Sequence, residues 1–167
     1  MNSTFEIRWQ TCVVDGEQTA QRFLDFVING QSLYEKFGGL ISPLGWGPVE
    51  ENRSAIARFL CQAEPDFPDN RTSIYICQVC GGLDCGAISA VIERVQDRIV
   101  WRDFGYQNSY EDEVNLDDYR GLGPYIFDAL EYAEILGSSS KRLRRLKRPA
   151  QITHGHIYLR NHFGFEV

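Results

Sequence analysis

The chain has 167 residues, 43% of them hydrophobic and 24% charged, with a formal net charge of −6. That balance belongs to a globular domain large enough to bury a core, and it excludes an intrinsically disordered chain. No apolar run reaches the length of a bilayer span, and the first nine residues lack the basic and apolar regions of a signal peptide. A cytoplasmic protein without membrane contact is the expectation.

Residues 5–9 alternate large apolar with charged side chains and read as a half-buried strand. Residues 23–28 read as a second strand, closed by the turn pair Asn29-Gly30. A short helical turn is expected over 32–37, and the Pro43, Gly45, Gly47 and Pro48 cluster marks a loop around Trp46. Residues 50–62 form the clearest helix, with an apolar stripe of Ala55, Ala57, Phe59, Leu60 and Cys61. Its N-terminal turn carries Glu50 and Glu51, and Pro65 and Pro68 forbid its continuation. Strands at 72–79, 87–95 and 98–106, the last two joined across Gln96-Asp97, predict a three-stranded antiparallel meander. A brief strand at 125–128 and a helix at 129–136, stopped by Gly137, come next. Ser138 to Ser140 read as a linker, and a last strand or arm is expected at 156–159. Hairpins rather than regular crossovers predict an α+β fold: a mostly antiparallel sheet with two or three helices packed on one face. One domain is expected over 1–137, with the basic segment and final strand or arm of 138–167 packed on it.

Residues 77–86 hold three cysteines and three glycines in the spacing Cys77-x2-Cys80-x4-Cys85. The chain has five cysteines, an odd number, which with no export signal points to reduced thiols. Cys-x2-Cys brings two thiolates onto one tetrahedral zinc readily. A fourth ligand would then come from Cys61 or from His154, His156 or His162, and His154-x-His156 sets two imidazoles on one face of a strand. A redox role needs a cysteine with a depressed pKa, most simply from a helix N-terminus, and these cysteines lie between two strands. The third reading is a plain hairpin, in which the cysteines pack as small hydrophobes.

The run Tyr75-x-Cys77-x2-Cys80-Gly81-x3-Cys85-Gly86-Ala87, followed by Val100-Trp101-x-Asp103-Phe104-x-Tyr106, resembles a family of small bacterial proteins of uncharacterised function, some of them labelled oxidoreductases. The resemblance covers about residues 41–128, including Leu44-Gly45-Trp46-Gly47 and Gly123-Pro124-x3-Asp128. Gly82 stands where the family pattern has Asp, and the chain beyond Gly137 has no counterpart in it. The resemblance implies a fold and assigns no catalytic residue.

No nucleophile elbow, phosphate-binding loop or zinc-protease motif is present, so a binding protein rather than an enzyme is expected. Lys141 to Arg148 gathers six of the 17 basic residues, which leaves the rest of the chain markedly acidic and ill suited to nucleic acid. Glu111, Asp112, Glu113, Asp117 and Asp118, flanked by Tyr110 and Tyr119, predict an acidic, aromatic surface for a basic partner. The leading functional expectation is an immunity-type inhibitor that neutralises a cognate bacterial toxin domain, with no cofactor and a homodimer compatible. The alternative is a zinc-binding or thiol-dependent protein, an oxidoreductase included, using Cys77, Cys80 and Cys85 with His154 and His156.

Overall fold

The computed structural model describes residues 1–13, 20–111 and 113–146. Strands β1 (Phe5–Val13), β2 (Ala20–Ile28) and β3 (Gln31–Ser32) form one antiparallel sheet in that order. Strands β4 (Leu40–Ile41), β5 (Arg71–Cys77), β6 (Ala87–Val95), β7 (Arg98–Gln107) and β8 (Tyr125–Asp128) form a second. Every pairing is antiparallel, and the described residues include three α-helices: α1 (Tyr34–Phe37), α2 (Val49–Phe59) and α3 (Ala129–Leu146). The fold is α+β, and the meander β5–β6–β7 is at the centre of its larger sheet.

Local chemistry accounts for the pairing. Asn29 and Gly30 both take positive φ, at 52° and 77°, the pair of left-handed residues that a two-residue hairpin between β2 and β3 requires. In β7, Ile99, Trp101 and Phe104 are all buried although the last two are three positions apart. A bulge reconciles this: the β6–β7 register shifts between Ser89 and Val91, and Asp103 takes φ 54°, which turns Phe104 back toward the core. The buried Arg71 guanidinium holds that bulge, donating to the Asp103 carbonyl at 2.6 Å, to the Ser89 carbonyl at 3.1 Å and to Gln107 Oε1 at 2.9 Å. Its acceptors are neutral, so burial lowers the arginine's pKa from its ordinary value, against the pull of Asp103 and Asp69.

The two sheets and two helices close over Trp101, which is 0% exposed. Its ring meets Phe5 and Phe26 from the small sheet, Phe59 from α2, Phe127 from β8 and Tyr132 from α3, with centroids 5.3–6.2 Å apart. Burying one tryptophan removes about 150–250 Å² from water, on the order of 4–6 kcal/mol as an upper bound. The polar tips are satisfied too: Trp101 Nε1 donates to Tyr132 Oη at 3.1 Å, and Tyr132 Oη donates to the Phe59 carbonyl at 3.2 Å. Helices α2 and α3 are thereby tied together on the Trp101 side of the sheet.

Two expectations about helix ends are corrected. Helix α2 stops at Phe59 rather than running to 62, and Cys61 beyond it takes φ 55°. Its buried line is Asn52, Ala55, Ile56 and Phe59, so Cys61 is off the stripe and exposed. Helix α3 does not end at Gly137 and has no linker at the serines: it continues to Leu146, with Lys141, Arg142, Arg144 and Arg145 in its last turns. The Ser138 and Ser139 hydroxyls donate to the Ile135 and Leu136 carbonyls, 2.7 and 2.5 Å away, so they cap their own turn instead of breaking it. The strand or arm at 156–159 lies outside the described residues.

Candidate metal centre and the acidic surface beside it

The β5–β6 connection, residues 78–86, begins where Cys77 ends its strand. Gly81 N–H bonds back to the Cys77 carbonyl at 2.9 Å, closing one tight turn, and Gly86 N–H bonds to the Leu83 carbonyl at 3.0 Å, closing a second. These turns bring the sulfurs of Cys77, Cys80 and Cys85 within 4.8 Å of one another, a group that could hold a metal ion. The Cys80 and Cys85 sulfurs are 3.2 Å apart, and Gly82 N–H points at Cys80 Sγ from 3.3 Å.

Amide donors prepare the site for anionic sulfur. Burial pushes the Cys77 thiol up, but the N–H groups of Cys80 and Val79, with the neighbouring thiols, more than offset it, and its pKa ends below the ordinary cysteine value. Cys85 goes the other way, up to about 11, because hydrogen bonds to Cys80 and Cys77 retain its proton and any charge on those sulfurs repels a further one. Three thiolates cannot share so small a space unless a cation lies among them.

Two aromatic rings brace the loop, and each needs a glycine. Gly81 has φ +66°, and a Cβ there would fall 2.2 Å from Trp46 Cζ3. Gly86 has φ +103°, and a Cβ there would fall 1.9 Å from Tyr106 Oη, the hydroxyl that donates to the Cys85 carbonyl at 3.2 Å. Trp46 is set in turn by buried Asn52 of α2, whose Nδ2 donates to the Trp46 and Pro48 carbonyls at 2.7 and 2.8 Å, while its Oδ1 accepts from Gly45 N–H at 2.6 Å. The sequence reading did not assign these roles to Asn52, Trp46 and Tyr106. The available signal was the glycine that directly follows each of Cys80 and Cys85, Gly81 and Gly86.

The hairpin expected at this point is present, but the sulfurs do not pack as hydrophobes in it. Cys80 and Cys85 are exposed and Cys77 is half-buried. Cys61 is not part of the group: its thiol points to the Ile92 carbonyl at 3.8 Å. His154, His156 and His162 lie outside the described residues. Among the described residues the group therefore has three members.

The acidic stretch adjoins this loop. Ser109 hydrogen-bonds the Asp84 carboxylate, joining the turn after β7 to the cysteine loop. Asn108 Oδ1 accepts the N–H groups of Tyr110 and Glu111 at 3.0 and 2.9 Å, and that turn leaves Tyr110 81% exposed. Glu111, Glu113, Asp117 and Asp118 are exposed, and Asp112 lies outside the described residues. Asp117 pairs with Arg120 at 2.6 Å and Asp118 accepts from Asn115 Nδ2 at 3.0 Å, so part of the negative charge is engaged within the segment. Tyr119 packs inward against the core, with its ring 6.1 Å from that of Phe37, unlike Tyr110.

No protein-family model, curated protein or solved structure matches this chain. No helix among the described residues is long and apolar enough to cross a membrane.

Proposed function

We propose that this protein binds a thiophilic metal ion, zinc before others, through Cys77, Cys80 and Cys85. The observation that carries the reading is the convergence of three sulfurs within 4.8 Å on an exposed, glycine-framed hairpin whose amides point at sulfur. Cysteine thiolates select zinc, copper(I) and iron–sulfur units over hard cations, and three protein ligands leave a tetrahedral ion one position for another donor. The reduced, metal-free chain is expected to take up one zinc, and Cys80→Ser or Cys85→Ser to weaken that uptake at least tenfold. Because Cys85 holds its proton up to about 11, binding near neutrality must release it. Apparent affinity should therefore rise about tenfold per pH unit for each proton displaced. Competition with a chromophoric chelator at pH 6, 7 and 8 measures both. Uptake that ignores the serine variants, or is independent of pH, would overturn the reading.

A second reading, an immunity-type inhibitor of a basic toxin domain, is favoured by the outward-facing Tyr110 amid exposed Glu111, Glu113, Asp117 and Asp118. An exposed tyrosine beside like charges suits a partner whose groove is basic. Charge reversal at Asp117 and Asp118 should then slow association with the partner several-fold and flatten its salt dependence. Unchanged association kinetics would remove that surface from consideration.

A further inference from the structure

We infer that Cys80 and Cys85 are an oxidisable pair whose disulfide cannot coexist with the bound metal, which makes the hairpin a redox-controlled metal site. The inference rests on the metal reading above and adds its regulation. Its basis is geometric. The two sulfurs are 3.2 Å apart, in direct hydrogen-bond contact, and both side chains are exposed to a soluble oxidant. Cys77 is held differently: it is the last residue of a sheet strand, half-buried, with the N–H groups of Val79 and Cys80 on its sulfur. Four residues separate Cys80 from Cys85, and the intervening Gly81 and Gly82 give that stretch the freedom to draw the sulfurs to bonding distance.

The chemistry balances with a hydroperoxide as oxidant. One sulfur of the pair attacks the terminal peroxide oxygen and becomes a sulfenic acid, releasing the alcohol, or water when the oxidant is hydrogen peroxide. The second sulfur displaces the sulfenic hydroxyl, which leaves as water. Two electrons have passed from the two thiolates to the O–O bond, and two protons have been taken up. The lone pairs that bound the metal now form the S–S bond, so the ion departs with Cys77 as its single remaining ligand among the three.

The test uses the full-length reduced chain with zinc. Uptake is scored first, so a protein that binds no zinc fails the metal reading at that step, before any oxidant is added. Hydrogen peroxide is then added while a chromophoric chelator reports free zinc and peptide mass mapping follows the cysteines. The expected result is release of one zinc per chain, loss of two of the five thiols, a Cys80–Cys85 linked peptide, and full reloading after reduction. Cys77→Ser should still form that link under the same peroxide, read by mass mapping alone because the variant lacks one zinc ligand. A zinc-loaded protein that instead links Cys77, stops at sulfinate on one cysteine, or keeps its zinc after the link forms would overturn this inference and leave the metal reading standing.

Discussion

Gly86 and Gly82 are four positions apart in one loop, yet their tolerances should differ sharply. A methyl at Gly86 meets the Tyr106 hydroxyl at 1.9 Å and its ring at 2.3–2.7 Å, on a backbone held at φ +103°, so both sterics and backbone oppose it. At Gly82 the nearest atom is Cys80 Sγ at 3.4 Å and the backbone is not left-handed. Gly86→Ala is therefore expected to cost about 2–3 kcal/mol of stability and most of the metal affinity. Gly82→Ala should leave both within about 0.5 kcal/mol of the parent. Urea unfolding and a zinc titration of the two variants check this. At this scale the sequence was readable in part. Cysteine spacing exposes a metal candidate because ligand chemistry is written in residue types. The amides that lower Cys77 belong to the backbone of a tight turn between strands, which has no letter in the sequence, and not to a helix N-terminus.

At the level of elements, the longer strands were legible, while two helix ends and the two-residue strands β3 and β4 were not. Strand β6 begins and ends at the expected residues, 87 and 95, because Gly86 and the turn at Gln96 are strong local signals. Helix α3 passes its expected stop, since Gly137 is a stop only when the chain turns left-handed there, and Gly137 keeps an ordinary helical φ. What continues the helix is tertiary: Tyr132, Leu136 and Ser139, at spacings of four and three, are buried along one side. Gly137 itself is exposed, with nothing within 4 Å of the place a Cβ would occupy. Gly137→Ala should thus stabilise the protein by about 0.5–1 kcal/mol with no change in metal binding, a shift that thermal unfolding resolves.

At the scale of the described fold, an aromatic cluster joins two sheets and two helices, while the cysteine loop hangs from the end of the central meander and is braced by Trp46 and Tyr106, which pack against that core. The α+β class followed from the order of hairpins and helices. The division into two sheets did not, because nothing local says that β2 and β3 pair away from β4. The three tryptophans are distributed over this architecture in a way that separates its parts. Trp101 is sealed in the core, Trp9 lies under the Arg22 guanidinium at 4.7 Å in the small sheet, and Trp46 lies against Gly81 in the cysteine loop. Intrinsic fluorescence from this chain is accordingly three signals rather than one. With Trp9 and Trp101 replaced by phenylalanine, the remaining emission would come from an indole touching the loop that carries the sulfurs. The protein thus contains its own optical gauge of what happens at Cys80 and Cys85.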